Sequence, residues 1–239
     1  MSAQTTPQIT LRDMLSFIVI TVVFAIFPLP IVGRWDWWPG WAYAAVMIFS
    51  AIASRGLAAR RNPGILAERA NSLKAKGVKE WDKKLVPFAA MIGPLLILIV
   101  SSLDARFGWS LALGNAGWMG WIQFTALVVL VLASALGDWA FVENTFFSGT
   151  VRIQTERGHH VIDTGPYRYV RHPGYVSAIW TFLAISPLFG SLWGLIPALI
   201  TCALFVLRTA LEDKTLQEEL PGYKEYTQKT KYRLLPGVW

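Results

Sequence analysis

Apolar residues fall in long continuous runs along this chain, and polar residues gather between the runs. A helix needs about 20 apolar residues to cross a hydrocarbon core, and helices satisfy their backbone groups there without water. Four runs meet that length: Met14 to Val32, Trp37 to Leu57, Leu85 to Leu103 and Trp118 to Gly137. Their apolar residues do not alternate at period two, which favours helices over strands. The pattern therefore predicts an all-α, polytopic helical membrane bundle.

Two later apolar runs are shorter. They extend from Tyr175 to Phe189 and from Leu192 to Leu207, and they are interrupted by Pro187, Gly190 and Pro197. We expect a tight C-terminal helical hairpin whose length is marginal for a full crossing, which makes about five to six transmembrane helices in total. The first run follows Arg12 as a signal peptide would, but it is too long for one and lacks a small-x-small cleavage site, so we expect it to be retained.

The loops between the runs predict the orientation. Segment 58–84 holds eight basic residues and only three acidic ones, so the positive-inside rule places it in the cytosol. Alternation then predicts a multi-pass protein with cytosolic N- and C-termini, in the inner membrane if the source is bacterial. A belt of indole rings is expected at the outer interface. Its members are Trp35, Trp37, Trp38, Trp41, Trp109, Trp118 and Trp121.

Composition narrows the classes of function. Of the 239 residues, 54% are hydrophobic, and the mean hydropathy is +0.43, which excludes an ordinary soluble domain. The net charge is +7, but the basic residues lie between apolar runs rather than along an exposed groove, so we expect no nucleic-acid partner. Cys202 is the single cysteine, which excludes an intrachain disulfide and a cysteine-based metal cluster.

Polar residues that are able to carry chemistry lie in two clusters on either side of the hairpin. The first occupies Asp138 to Pro173, contains all three histidines, and ends in a proline-stiffened turn, with Pro173 placed to begin a helix. The second follows the last run and includes Arg208 and Glu212, four residues apart on one helix face. A hairpin returns its ends to one side of the membrane. The two clusters should therefore meet at the cytosolic interface, within reach of bilayer lipids.

These residues resemble a known family. The motifs Gly165-Pro166-Tyr167, Arg171-His172-Pro173-Gly174-Tyr175, Arg208-x-x-x-Glu212-Asp213 and Gly222-Tyr223-Lys224-Glu225-Tyr226 stand in this order around the hairpin. They are similar to the isoprenylcysteine carboxyl methyltransferase family, which is related to the phospholipid methyltransferases. The resemblance covers about Asn144 to the C-terminus. It implies a methyltransferase-like catalytic region at 138–239, preceded at 1–137 by about four transmembrane helices and the basic loop 58–84.

The resemblance also implies a cofactor and a set of site residues. Members of the family use S-adenosylmethionine, whose site is implied at Gln154, His159, His160, Val161, Ile162, Tyr167, His172, Pro173, Tyr175 and Glu212. The expected catalytic residues are Arg208, Arg171 and Glu212, and Arg208 is the one that matches the substrate-side arginine of the family. The chemistry agrees, because a sulfonium, an ammonium and a carboxylate need an acid, a cation or hydrogen-bond donor, and aromatic faces. Ser177, where the family often has glycine, and the Glu212-Asp213 pair depart from the pattern and bear on the acceptor more than on the cofactor.

Several alternatives stay open. Arg208 would hold an anionic acceptor such as a carboxylate, whereas a thiol or amine acceptor would need His172 or Glu212 as a base. An NADPH-dependent membrane reductase of the sterol-reductase type is the first alternative function, and a non-enzymatic membrane protein is the second. The adjacent His159 and His160 splay apart and have no third ligand at suitable spacing, so no metal is expected. The acceptor, lipophilic or small, and the oligomeric state are not fixed by the sequence.

Overall fold

The computed structural model describes residues 11–61, 63–72, 75–110 and 119–239, and within these residues it contains helices and no strand. Trp118, which the sequence placed in the indole belt, lies outside the described residues. The α-helices are α1 (Leu11–Ile26), α2 (Pro28–Val32), α3 (Trp38–Arg61), α4 (Pro63–Asn71), α5 (Glu80–Val86), α6 (Gly93–Phe107), α7 (Met119–Glu143), α8 (Pro173–Leu188), α9 (Leu195–Glu219) and α10 (Tyr223–Lys229). A π-helical turn, Pro87–Ile92, joins α5 to α6.

Four continuous helical stretches in the described chain are long and apolar enough to span a membrane. They are Trp38–Arg61, Glu80–Phe107, Met119–Glu143 and Leu195–Glu219, and Phe17–Val32 forms a shorter apolar helical segment. The helical membrane bundle is therefore confirmed.

Two segment boundaries differ from the predicted ones. The first run is broken between α1 and α2, because Pro28 cannot continue the preceding helix. The last run does not end at Leu207 but continues as α9 through the polar cluster to Glu219. It can do so because Arg208 and Asp213, its two buried charged residues, have partners of opposite charge.

Helices α8 and α9 form the predicted hairpin. The turn between them is held by Asp104 at the end of α6, whose carboxylate accepts hydrogen bonds from the hydroxyls of Ser110 (2.5 Å) and Ser191 (2.6 Å). Gly190 in this turn has φ +73°, a conformation that favours glycine. The core lies between the hairpin and α2 and α6, with Leu29, Ile97, Leu188 and Ala198 fully buried. This packing fixes both ends of the hairpin.

Segment 58–84, the basic loop of the sequence analysis, contains helical residues, and the C-terminal tail is hydrogen-bonded to the rest of the protein. Segment 58–84 contains α4, the start of α5 and the end of α3. The tail folds back after α10, where the backbone N–H groups of Arg171 and His172 donate to the carbonyls of Tyr232 (2.9 Å) and Arg233 (3.0 Å). The predicted turn thus has its outer edge covered by the last residues of the chain.

The tryptophan belt is only partly as expected. Trp35, Trp38, Trp109 and Trp121 are exposed. Trp37 is buried instead, with its ring 4.7 Å from that of Phe189. It is therefore a core residue.

Candidate active site

A cavity of about 320 Å³ lies among α8, α9, α4, the π-helical turn and the segment after α7. Nearly all predicted site residues line it: Gln154, His159, His160, Val161, Ile162, Tyr167, Arg171, His172, Tyr175, Arg208 and Glu212. Pro173 is the exception. It is buried at the first position of α8, where its fixed φ and missing N–H suit a helix start, so its place is structural. The hairpin thus brings His172 and Glu212 to one cavity.

Glu212 is the acidic group of this cavity. The Tyr175 hydroxyl donates a hydrogen bond to Glu212 Oε2. Oε1 accepts none from the described residues. The His172 ring stacks on that of Tyr175 with centroids 5.7 Å apart. A half-buried carboxylate beside two aromatic faces is a suitable environment for an organic cation.

Asp213, the next residue, is buried and organises the turn. Its carboxylate accepts hydrogen bonds from Arg171 Nε (2.8 Å) and Nη2 (2.9 Å), from the Tyr223 hydroxyl (3.0 Å) and from Arg233 Nε (2.8 Å), and it lies 3.2 Å from His172 Nε2. This one side chain therefore ties α9 to the turn, to α10 and to the tail.

The expected catalytic role of Arg171 is not supported by this geometry. In addition to its forked bond to Asp213, Nη1 donates to the carbonyls of Thr230 (2.9 Å) and Lys231 (2.7 Å). The nearby carboxylate and the tyrosine Tyr223 raise the pKa of Arg171 against the cost of burial. Because these donors bind other groups of the protein, the geometry favours a positioning role for Arg171, and its catalytic role stays a prediction.

Arg208 lines the cavity and is paired with a buried carboxylate. Its Nε and Nη2 donate to the two carboxylate oxygens of Asp82 (2.7 and 3.1 Å), and Nη2 also donates to the Gly149 carbonyl (2.9 Å). Both side chains are buried. Asp82 thus neutralises Arg208 within the protein, and the role of Arg208 in holding an anionic acceptor stays a prediction. Glu212 shares the helix face with Arg208 but is not its ion-pair partner.

The segment after α7 forms the opposite wall. Gln154 is buried, with Nε2 donating to the Phe146 carbonyl (2.7 Å) and Oε1 accepting from Arg157 Nη1 (2.5 Å). The rings of His159 and His160 flank Phe146, at 4.5 and 4.9 Å between centroids. Gln154 therefore shapes the wall through both ends of its amide.

His159 is held neutral in this wall. Its Nδ1 accepts a hydrogen bond from the Gln154 N–H (3.2 Å), which puts the ring proton on Nε2. Burial, followed by nearby positive charge that includes Arg152, lowers the pKa of His159 to about 4. At neutral pH His159 Nε2 is thus a hydrogen-bond donor that carries no charge.

The rest of the turn is rigid. The Tyr167 hydroxyl accepts from Asn144 Nδ2 (3.1 Å), and the Tyr167 carbonyl accepts from the Tyr226 hydroxyl (2.6 Å). Tyr223 and Tyr226 are buried and pack around Leu220. Ser177 does not line the cavity. It donates to the Ala133 carbonyl (2.7 Å) where α8 crosses α7.

Sequence reasoning missed three residues that build this site. Asp82 was counted among the charges of a basic loop, Asp213 was noted only as a departure from a motif, and Arg69 was given no chemistry. Arg69 lines the cavity from α4. The sequence contained a weak signal for Asp82 alone. An acidic residue at the start of an apolar run is expected to be buried only with a partner of opposite charge.

Comparison with known proteins agrees with this site. No curated protein matches the chain. The family model described as "Isoprenylcysteine carboxyl methyltransferase (ICMT) family" matches residues 125–218, which extend from α7 to the end of α9 and include every predicted site residue. Residues 125–218 are therefore similar to the isoprenylcysteine carboxyl methyltransferase family, a family of membrane methyltransferases.

Proposed function

We propose that the protein transfers a methyl group from S-adenosylmethionine to a lipophilic or small acceptor that enters from the bilayer. The supporting observation is that one cavity is lined both by polar residues, which include Glu212 and His172, and by apolar residues, which include Ala90, Ala178 and Phe205. Basic residues end both α3 (Arg60, Arg61) and α4 (Arg69), and Arg69 lines this cavity. The positive-inside rule therefore favours a cytosolic opening.

The donor set of the cavity fits adenosylmethionine. Glu212 is the carboxylate for its cationic groups, and the rings of Tyr167 and Tyr175 offer faces to a cation or an aromatic base. Val161, Ile162, Leu216 and Leu220 supply apolar wall. A volume of about 320 Å³ lies within the range of small-molecule sites. When bound, adenosylmethionine supplies a methyl group that its sulfonium sulfur activates.

The residues of the chain would then align the acceptor and exclude water. The apolar walls at Ala178 and Phe205 keep water from the acceptor. The forked bonds of Asp213 hold the turn, so the His172 ring keeps its position without reorganising. If the acceptor is a thiol or an amine, its proton can pass to Glu212 Oε1, the oxygen that Tyr175 leaves free. A carboxylate acceptor needs no base.

Isothermal titration of the purified protein tests this proposal. We expect heat on addition of adenosylhomocysteine and none with NADPH, whereas heat with NADPH alone would favour the reductase. Glu212→Gln keeps the shape of the side chain and an acceptor for Tyr175 but removes the charge, so it should abolish adenosylhomocysteine binding while the protein stays folded. Glu218→Gln, an exposed residue of the same helix, is the matched control and should bind normally. Unchanged binding by Glu212→Gln would contradict the proposed site.

A further inference from the structure

Four arginines line the cavity, and three of them are neutralised by the protein. The pairs are Arg152 with Glu68 (2.8 Å) and Glu156 (2.8 Å), Arg171 with Asp213 (2.8 Å), and Arg208 with Asp82 (2.7 Å). The fourth, Arg69, forms no ion pair with any residue in the described part of the chain. Its guanidinium also donates no hydrogen bond to those residues. The cavity therefore contains one guanidinium without a counter-charge.

The surroundings of Arg69 are apolar and cationic. Its guanidinium carbon lies 5.4 Å from the ring centroids of both Phe141 and Phe147. Such rings attract a cation but accept none of the N–H bonds that a guanidinium offers. Burial, and after it the charge of Arg208, lowers the pKa of Arg69, so the site is unfavourable for a cation as it stands. An anion in the cavity would relieve this cost.

Glu212 is the complementary charge. It lines the same cavity and has no arginine, lysine or histidine within ion-pair distance among the described residues. The cavity therefore presents one anion and one cation that have no ion-pair partner in the described part of the chain. Arg69 lies near the start of α8, since Phe147, the ring beside it, packs against Gly174, where a Cβ would lie 2.8 Å from the ring. Gly174 and Ala178 are one turn apart on α8 and both line the cavity.

We propose that Arg69 is the anion-binding residue of this cavity and holds a carboxylate or phosphate group of a bound ligand through forked hydrogen bonds. The inference rests on the proposed function. It also transfers to α4, outside the matched residues 125–218, the role that the sequence suggested for Arg208. The anion has two possible sources: the carboxylate of the methyl donor, or an anionic group of the acceptor. A guanidinium recognises both in the same way.

Four probes separate these sources. Adenosylhomocysteine carries the donor carboxylate, and 5′-methylthioadenosine lacks it; dodecanoate is an anionic amphiphile, and dodecanol is its neutral counterpart. Binding of the first pair is measured by isothermal titration, and binding of the second pair by the shift in unfolding midpoint of the protein in lipid nanodiscs. Arg69→Gln is compared with wild type, with Arg69→Lys and with Arg60→Gln, which removes an exposed cation from the neighbouring end of α3.

We expect Arg69→Gln to bind at least one carboxylate probe about 10- to 100-fold more weakly, because a charge-assisted bond is lost, and to bind the neutral probes as wild type does. Arg69→Lys should be intermediate, and Arg60→Gln should be unchanged. Loss for adenosylhomocysteine alone assigns the donor carboxylate, and loss for dodecanoate alone assigns the acceptor.

Equal binding of all four probes by wild type and Arg69→Gln would overturn the proposal. Equal weakening of charged and neutral probes would overturn it too, because that pattern shows a structural role. If Arg69→Gln does not fold, Arg69→Lys decides by the same comparison. If wild-type protein binds no adenosylhomocysteine, the proposed function fails, and the dodecanoate pair still decides the role of Arg69.

Discussion

The buried ion pair between Asp82 and Arg208 makes a strong and testable prediction about stability. The Asp82 side chain is 0% exposed and that of Arg208 6% exposed, and they form two hydrogen bonds of 2.7 and 3.1 Å. Asp82→Asn keeps the shape but leaves the guanidinium charge buried without a partner. Removing one partner of a buried pair costs about 3–5 kcal/mol. Asp82 also accepts the Val151 N–H (2.7 Å), so the change loosens the cavity wall as well.

Thermal unfolding in one detergent measures the effect. A loss of about 3–5 kcal/mol lowers the unfolding midpoint of a chain of this size by about 6–20 °C. Arg208→Met should be similarly harmful, because it leaves the carboxylate unpaired. The double variant Asp82→Asn/Arg208→Met should lose much less than the two single losses added together, since it buries no uncompensated charge.

The matched control is Asp36→Asn. Asp36 pairs with Arg34 at 3.2 Å, but both side chains are more than 60% exposed, so its loss should leave the midpoint unchanged. The reasoning is refuted if Asp82→Asn has the same unfolding midpoint as the wild type. It is also refuted if the double variant loses as much stability as the two single variants combined. Either result would mean that water reaches the pair and screens it.

Two further predictions concern packing and pH. Gly137→Ala places a methyl group against the Ser177 hydroxyl where α7 meets α8, so it should lower the stability of the protein by about 1–3 kcal/mol. The control Gly120→Ala lies in open space on the same helix and should be neutral or slightly stabilising in the same thermal unfolding experiments. Equal unfolding midpoints for the two variants would argue against close packing at Gly137. The pKa of His159 is about 4 in the folded protein, against an ordinary value of 6.5. Between these two pH values the unfolded state therefore binds more protons than the folded state. The contribution of His159 to stability is thus fully present above pH 6.5 and is lost as the pH drops toward 4. His159→Asn, which keeps an acceptor for the Gln154 N–H, should flatten this fall in denaturant titrations across that range; an unchanged slope would place its origin elsewhere.

The length and polarity of local segments could be predicted from the sequence because both are local properties. A run of about 20 apolar residues can be stable in lipid only as a helix, so the bundle and the hairpin followed directly. The ordered motifs around Tyr167, His172 and Glu212 located the cavity residues, since a hairpin must return its ends to one side. Pro173 was rightly placed at a helix start, though it does not line the cavity.

The partners of the charged residues were decided only by the tertiary structure. Arg208 and Glu212 share a helix face, yet Arg208 pairs with Asp82, 126 positions earlier in the chain. Arg171 was expected in catalysis, but Asp213 and the returning tail occupy its donors. Arg69 looked like one of many topology charges until α4 was seen to carry it into the cavity. An ion pair depends on the distance between helices that are remote in sequence. Hydropathy and motif spacing describe local stretches of the chain and do not report that distance. The sequence alone therefore determined which segments line the cavity, and the packing of the helices decided which of its described charged residues have ion-pair partners within the protein.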